Sequence, residues 1–241
     1  MSGASAHTAD VNPLGHLARL NARIIACEKC PRLRRHCRKM ARVKRAAFRD
    51  WEYWGKPAPG FGDPEAELLL IGLAPAAHGT NRTGRVFTGD RSGDFLYAAL
   101  FRAGFSNQPT SVSRDDGLQL SRCFITAAAR CAPPGNKTTR SELANCRPYL
   151  EEELKLLKKV RAVLALGRIA FDNYLELLKQ QGHIGSRAAY RFAHGASYEL
   201  PPSLPRLFAS YHPSQQNTQT GRLTTKMFDE VLFGVRRYIG K

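Results

Sequence analysis

Short apolar runs alternate with segments of helical periodicity over most of the chain. The runs are mostly apolar throughout, as in strands buried on both faces, and they span 67–72, 123–127, 162–166 and 207–210. Between and after them, apolar residues recur every three or four positions over 95–103, 141–159, from about 169, and over 223–238. This alternation predicts an α/β fold with three layers, α/β/α, around a central four-stranded parallel sheet.

The remaining segments predict elements outside that repeat. Residues 14–26 have helical spacing, and residues 31–50 predict a basic helix that is followed by a cluster of aromatic residues. Gly, Pro and Ser residues over 182–205 predict an excursion or hairpin outside the sheet. We therefore expect a single domain over 1–241, with an N-terminal extension or helix at 1–20 and a basic, cysteine-containing segment at 27–54.

The charge of the chain indicates its partner. There are 37 Lys and Arg against 20 Asp and Glu, which gives a formal net charge of +17. A phosphate backbone is the commonest reason for such an excess, and we expect a nucleic-acid partner ahead of a generically basic or ribosome-associated protein. The chain contains no run of about 18 apolar residues, so its sequence predicts no membrane span. Six cysteines without a signal-peptide layout favour a reducing compartment, so we expect a cytoplasmic, nucleoid-associated protein of a prokaryote.

Four of the six cysteines have the spacing of a metal site. They form a pair with two residues between its members and a second pair about a hundred residues later, namely Cys27, Cys30, Cys131 and Cys146. Four thiolates suit one tetrahedral metal ion, such as zinc, and equally one iron–sulfur cluster. The other two, Cys37 and Cys123, lie in a basic helix and a buried strand, and we interpret them as unliganded thiols.

Three loops that leave predicted strands carry unusual chemistry, at 72–90, 131–137 and 211–223. In open α/β sheets, ligands bind beyond the carboxyl ends of the strands. Asp90 is the only acidic residue of the first loop, and it directly precedes a helix, where capping is its alternative role. His212 follows the last strand, where a structural hydrogen bond is the alternative.

Short motifs in these loops resemble the uracil-DNA glycosylase superfamily, and most closely its iron–sulfur type-B branch, also called family 5. The motifs are Gly-Leu-Ala-Pro-Ala at 72–76, Gly-Arg-Val-Phe-Thr-Gly-Asp at 84–90, Arg-Cys-Ala-Pro-Pro at 130–134 and His-Pro-Ser at 212–214. The resemblance implies a structural 4Fe–4S cluster on the four paired cysteines. It also implies a DNA repair enzyme that flips a deaminated base and hydrolyses its N-glycosidic bond, leaving an abasic site. We expect a monomer, and we expect no lyase chemistry because the loops offer no Schiff-base lysine apart from Lys137.

Cleavage of that bond passes through an oxocarbenium-like sugar, so the enzyme must stabilise a cation, a departing base anion and an attacking water. The resemblance assigns Asp90 to the water and the cation, and His212 to the base anion. It also implies that Asn136 contacts the base or the water, with a turn as its alternative role. The implied base-binding residues are Gly72, Ala74, His78 and the stacking ring of Phe87.

The chain departs from related branches at two polar positions. Where those branches carry an Asn after the second strand's Thr, this chain has Ala127, and Ala76 and Ala77 replace a polar residue after Gly-x-x-Pro. Losing both groups weakens discrimination by paired hydrogen bonds. We therefore expect a tolerant pocket that accepts hypoxanthine, xanthine or etheno-adducted bases beside uracil.

Further residues are candidates for DNA contacts. Their polar and basic side chains would enter the duplex or bind phosphates, and they are Arg82, Arg85, Gln215, Gln216, Asn217 and Arg222. Two other function classes remain open: a metal-stabilised nucleic-acid-binding module without catalysis, and an iron–sulfur redox protein or nuclease. A nuclease usually needs several clustered carboxylates for divalent metals, and the first loop offers only Asp90.

Overall fold

The computed structural model describes residues 13–240 of the chain. In this part of the chain one sheet has six strands: β1 Phe61–Gly62, β2 Leu68–Gly72, β3 Cys123–Ala127, β4 Ala162–Leu166, β5 Ser197–Tyr198 and β6 Arg206–Ser210. The α-helices are α1 Pro13–Ile25, α2 Pro31–Val43, α3 Thr80–Thr83, α4 Arg91–Arg102, α5 Arg140–Leu156, α6 Arg168–Gln180, α7 Gln215–Gln219 and α8 Thr225–Ile239. The mixed α/β fold expected from the sequence is confirmed.

The strand order in the sheet is β1-β3-β2-β4-β6-β5. The pairs β3–β2, β2–β4 and β4–β6 are parallel, whereas β1 and β5 pair antiparallel with their neighbours at the two edges. The sheet thus has six strands where the sequence predicted four. The edge strands contain two residues each, which is too short to produce a periodic pattern. Strand β5 lies within the predicted excursion over 182–205.

Helices cover both faces of the sheet. Alternate residues of β2 face opposite sides, so that Leu68 and Leu70 pack in one core with α4 and α8, while Leu69 and Ile71 pack in the other with α5 and α6. All four of these side chains are fully buried. Burial of one such side chain contributes about 1.5–3 kcal/mol to the free energy of unfolding.

A buried ion pair joins β3 to α5. Arg130, three residues beyond the strand, donates to Glu153 at 2.6 Å, and the Thr126 hydroxyl donates to the same carboxylate oxygen at 2.7 Å. Both charged side chains are almost completely buried. Removing one partner of such a pair costs about 3–5 kcal/mol because the other charge is left uncompensated. The pair therefore fixes the segment after β3 against α5.

The N-terminal region continues this layer. Helix α1 packs on α5, and Arg23 pairs with Glu152 at 2.7 Å. Residues 1–12 of the extension expected at 1–20 lie outside the described residues. Within residues 13–240, no helix combines the length and the apolar character that a membrane crossing requires.

Candidate active site

A small cavity of about 50 Å³ opens at the carboxyl ends of the parallel strands. Loops that follow β2 and β6, together with the last residue of β3, form its walls. The lining residues are Ala74, Pro75, Ala76, Thr80, Val86, Phe87, Asp90, Ser92, Ala127 and His212. The candidates Asp90 and His212, which are more than a hundred residues apart in the sequence, therefore face one cavity together with Phe87 and Ala74.

Asp90 is both a helix cap and a wall of the cavity. Its Oδ1 accepts a hydrogen bond from the Gly93 backbone amide at 3.0 Å, which caps the N-terminus of α4. Burial raises the pKa of Asp90 above its ordinary value, although the amides of Gly93 and Ser92 oppose this shift. The backbone of Gly79 approaches so closely that a Cβ there would collide with Asp90 Oδ2. Glycine at position 79 thus makes room for the carboxylate.

His212 is held in a largely apolar surrounding. Its ring lies 5.8 Å from the Phe87 ring at an interplanar angle of 30°, and its backbone carbonyl accepts from Asn217 Nδ2 at 2.9 Å. Burial lowers the pKa of His212 to about 4. The imidazole is therefore neutral at neutral pH, with one ring N–H to donate and one nitrogen to accept.

Phe87 has a strained backbone. Its φ of 53° falls in the left-handed region, which bulky residues rarely adopt, and such strain costs about 1–3 kcal/mol. Its ring lies against Gly72 at the end of β2, where a Cβ would be only 2.7 Å from the ring. Gly72 therefore permits the position of the ring, although it is not itself among the cavity-lining residues.

Arg82 joins the two ends of the loop that carries Phe87. Its Nε donates to the carbonyl of His78, and its Nη2 donates to the carbonyl of Gly89, both at 2.8 Å. The guanidinium carbon lies 3.9 Å and 4.0 Å from the ring centroids of Phe48 and Trp51, respectively. Only 3% of Arg82 is exposed. The Arg82 side chain therefore forms its hydrogen bonds inside the fold, next to Asp90.

Arg85 is also internal. It donates to both carboxylate oxygens of Asp116 at 2.8 and 2.7 Å and to Thr88 Oγ1 at 3.0 Å, and its side chain is 3% exposed. The sequence predicted phosphate contacts for Arg82 and Arg85. Their burial leaves no surface for such contacts, so in this structure both arginines instead stabilise the 79–90 loop.

Two of the other predicted site residues, His78 and Asn136, are not part of the cavity wall. His78 is partly buried, and its Nδ1 is 3.1 Å from the Tyr53 hydroxyl. Asn136 is exposed, with a φ of 58°, in a short 3₁₀ turn. Neither residue lines the cavity. Asn136 thus lies in a turn, the alternative that the sequence left open, while its contact with the base or the water stays a prediction.

The segment predicted as a polar loop over 214–222 contains helix α7. Ser214 caps this helix by accepting from the Asn217 amide, and Gln215 and Gln216 are exposed in its first turn. Arg222 is exposed, and its guanidinium carbon lies 4.8 Å from the Tyr211 ring centroid. These side chains border the loop that holds His212, on the side that faces solvent.

The cysteines of the two pairs come together on one side of the sheet. Cys30 directly precedes α2, and it shares a buried cluster with Cys131, which follows β3. Burial raises the pKa of Cys146, on α5, to about 11, and the proximity of Cys30 and Cys27 adds to this shift. Hydrogen bonding to Cys37 and burial raise the pKa of Cys131. Cys37 is therefore a fifth thiol at this location.

Single-ion coordination is not preformed there. Among residues 13–240, no three Cys, His, Asp or Glu side chains converge closely enough to hold a metal ion. The sixth cysteine, Cys123, is fully buried within β3, as the sequence predicted.

Comparison with known proteins identifies the family. The model of the uracil DNA glycosylase superfamily matches residues 59–235. This chain belongs to the uracil DNA glycosylase superfamily. It is 49% identical over 227 residues to a type-5 uracil-DNA glycosylase of Mycobacterium leprae, a match that covers 94% of this chain and 97% of the relative. It is 53% identical over 218 residues to a type-5 uracil-DNA glycosylase of Thermus thermophilus, covering 90% and 95% of the two chains.

A type-4 uracil-DNA glycosylase of Pyrobaculum aerophilum is more distant. It is 33% identical over 163 residues, which cover 67% of this chain and 66% of the relative. The fuller coverage therefore favours similarity to type-5 members of the superfamily. The superfamily resemblance expected from the loop motifs is confirmed, whereas its iron–sulfur character stays a prediction.

Sequence reasoning missed the role of Arg82 inside this superfamily site. A basic residue in a Gly-rich loop of a basic protein is typical of a phosphate contact, and its aromatic partners Phe48 and Trp51 lie more than 30 residues earlier. The aromatic cluster was visible in the sequence. The contact between this cluster and the loop depends on the tertiary fold alone.

Proposed function

We propose that the protein is a DNA repair glycosylase that removes uracil from DNA by hydrolysis of the N-glycosidic bond and leaves an abasic site. The observation that carries this proposal is that Asp90 and His212 line one cavity with the ring of Phe87. Membership of the superfamily and the similarity to proteins named uracil-DNA glycosylases support it. In a binding module without catalysis, Asp90 would still cap α4, but the cavity that it shares with a neutral histidine would have no task.

The proposed reaction separates charge within the cavity. As the bond to the base breaks, the sugar gains positive charge and the base gains negative charge. The Asp90 carboxylate stabilises the sugar cation and orients the attacking water. The neutral His212 donates its ring N–H to a carbonyl oxygen of the departing base. Since no lysine lines the cavity, we expect no Schiff base and no lyase step.

The base reaches the cavity by leaving the duplex stack, since it cannot react within it. Phe87 stacks on the extruded base, a contact worth about 1–3 kcal/mol. Gln215, Gln216 and Arg222 are exposed beside the His212 loop and are the proposed contacts with the duplex. Asn217 supports the same loop through its bond to the His212 carbonyl.

The proposed substrate range is broad. Ala74, Ala76 and Ala127 line the cavity with methyl groups, where an amide would otherwise select the hydrogen-bonding edge of one base. We therefore extend the proposal to hypoxanthine, xanthine and etheno adducts. Comparable turnover of uracil and hypoxanthine in matched duplexes is expected, and strict uracil specificity would contradict the broad range.

We further propose a structural 4Fe–4S cluster on the paired cysteines. Cys27, Cys30, Cys131 and Cys146 are brought to one region by segments far apart in the sequence, and burial disfavours the thiolates unless a cation compensates them. A single zinc ion would need all four sulfurs about 2.3 Å from one centre. In a 4Fe–4S cluster each thiolate binds a different iron, so the four sulfurs need not converge on one point. When bound, the cluster would tie the N-terminal segment to β3 and α5.

Base release from DNA tests the proposed activity. Purified protein is incubated with a uracil-containing duplex in EDTA, and alkali then cleaves the abasic sites. We expect EDTA-resistant release that Asp90→Asn and His212→Ala each reduce by about 10²-fold or more. Asp94→Asn, one turn further along α4 and exposed, is the matched control and should keep the parent rate. Binding without release would favour the non-catalytic module, and EDTA-sensitive strand breaks would favour a nuclease.

The cofactor proposal has its own measurement. Iron and acid-labile sulfide are determined in protein purified without oxygen, for the parent, Cys146→Ser and the buried control Cys123→Ser. We expect about four irons per chain in the parent and in the Cys123 variant, and a clear loss in the Cys146 variant. Stoichiometric zinc in the parent would contradict the cluster.

A further inference from the structure

A second, larger cavity of about 510 Å³ lies as a groove between α5 and α6. Arg140 and Arg147 of α5 and Arg187 of the 182–205 excursion supply positive charge, against Asp172 and Glu176 of α6. Arg187 lies 3.4 Å from Glu176, whereas Arg140 forms no ion pair within the described residues. Three arginines against two carboxylates leave the lining of the groove with one net positive charge, and Arg140 and Arg187 are exposed on its rim.

Two residues that line the groove contain buried donors without acceptors. Asn173 is 4% exposed, and its Oδ1 accepts from Arg147 Nη2 at 3.2 Å. Its Nδ2 and the Nε of Arg147 are buried without a hydrogen-bond partner in the part of the chain that the structure describes. A buried donor left unpaired destabilises the fold because its hydration is lost without replacement. A small rotation of these side chains toward the groove would let an anion there supply the acceptor that the protein lacks.

The groove begins at the same edge of the sheet as the active cavity. Helices α5 and α6 follow β3 and β4, so both N-termini lie at the carboxyl ends of the parallel strands, where the helix dipoles favour negative charge. Gly167, which precedes α6, touches the catalytic loop: a Cβ there would lie 3.2 Å from His212 Cβ. An anion bound between the helices would thus sit beside the strand that delivers the flipped nucleotide.

We propose that the α5/α6 groove binds a backbone phosphate of the DNA strand that flanks the flipped nucleotide. This inference rests on the proposed glycosylase function, because it assumes DNA at the carboxyl edge of the sheet. Arg140 and Arg187 contact the phosphate from the rim, and the side chains of Arg147 and Asn173 also line the groove. The contact is independent of sequence and of the damaged base, since a phosphate carries no base information.

Salt dependence of DNA binding tests this site. Fluorescence anisotropy with an undamaged duplex and a uracil duplex measures Kd over a series of salt concentrations, for the parent, the double variant Arg140→Gln with Arg187→Gln, and Arg102→Gln as the surface control on α4. The slope of the logarithm of the association constant against log salt is negative, and each lost phosphate contact makes it shallower by about 0.9. We expect this shallower slope on both duplexes for the double variant only, and an unchanged slope would overturn the proposal.

Asn173→Asp is the second variant. The new carboxylate pairs with Arg147, so the fold is expected to keep or gain stability, while DNA binding weakens because the lining of the groove now repels phosphate. Binding equal to that of the parent would overturn the site. A parent protein that binds DNA but releases no base would contradict the glycosylase function. The salt dependence of DNA binding would still show whether the groove contacts a phosphate. Inorganic phosphate that competes with DNA for the parent but not for the double variant would indicate a site for phosphate in general.

Discussion

Replacement of Arg82 by Lys should affect stability and reaction rate together. Lysine keeps the charge but is a point donor, so it cannot bridge the carbonyls of His78 and Gly89 as the guanidinium does at 2.8 Å to each. Losing one charge-assisted hydrogen bond costs about 1.5–3 kcal/mol, and losing the stack between Phe48 and Trp51 costs about 0.5–1 kcal/mol more. The expected loss is about 2–4 kcal/mol in the free energy of unfolding. In a chain of this size, this corresponds to a Tm that is lower by roughly 4–16 °C.

The rate effect follows from the position of the second hydrogen bond. The Gly89 carbonyl directly precedes Asp90, and a displacement of about 1 Å at a catalytic group reduces rates by about 10²-fold. Single-turnover base release by Arg82→Lys should therefore fall by about 10–100-fold at a temperature where the variant is folded. The control Arg102→Lys changes a surface pair with Asp229 and should cost less than about 1 kcal/mol. A folded Arg82→Lys protein that keeps the parent rate within twofold would refute the positioning role.

Three further outcomes follow from the cavity. Burial raises the pKa of Asp90 above 3.8, so base release should be lost as the pH falls through this raised pKa. Burial lowers the pKa of His212 to about 4, so the rate should be level around neutral pH, where His212 is already neutral. A pH–rate profile for His212→Asn should show a lower plateau with the same acid limb. Ala127→Asn should restore an amide beside the base and raise the ratio of uracil to hypoxanthine turnover, measured as the ratio of kcat/KM values; an unchanged ratio would mean that this wall does not select the base. Gly72→Ala should displace the ring of Phe87, which would otherwise lie 2.7 Å from the new methyl group. Base release in single-turnover kinetics should fall by about tenfold, while the DNA affinity measured by anisotropy should change little. An unaffected rate would contradict stacking on that ring.

The strands inside the sheet were predictable because burial on both faces makes them continuous apolar runs. Strands β3 and β4 occupy 123–127 and 162–166, as the sequence predicted. The edge strands β1 and β5 were not predictable, because two residues carry no period. Helix α4 starts at Arg91, four residues before the predicted start, because the cap at Asp90 sets its first turn and the apolar pattern begins only later.

The site was predictable where a motif fixes a short stretch of backbone. Asp90, Phe87 and His212 face one cavity because each follows the carboxyl end of a parallel strand within a few residues or at the end of a constrained loop. Arg82 and Arg85 could not be placed in the same way. Whether an arginine in a basic protein points to solvent or inward depends on what packs over it, and here Phe48, Trp51 and Asp116 come from distant segments.

Burial acts on Asp90 and His212 in opposite senses that suit the proposed reaction. Burial raises the pKa of the acid, so its anion is held at a cost that the N-terminal amides of α4 only partly offset. Burial also lowers the pKa of the histidine, so the imidazole adds no positive charge to that of Arg82, which offsets only part of the desolvation of the Asp90 anion. When the glycosidic bond breaks, the sugar supplies a further cation and the base supplies an acceptor for the histidine N–H. In a poorly solvated cavity, each of these interactions is stronger than it would be in water. The same desolvation that is unfavourable in the resting protein is thus relieved as charge develops, which means that interaction energy is gained mainly in the transition state.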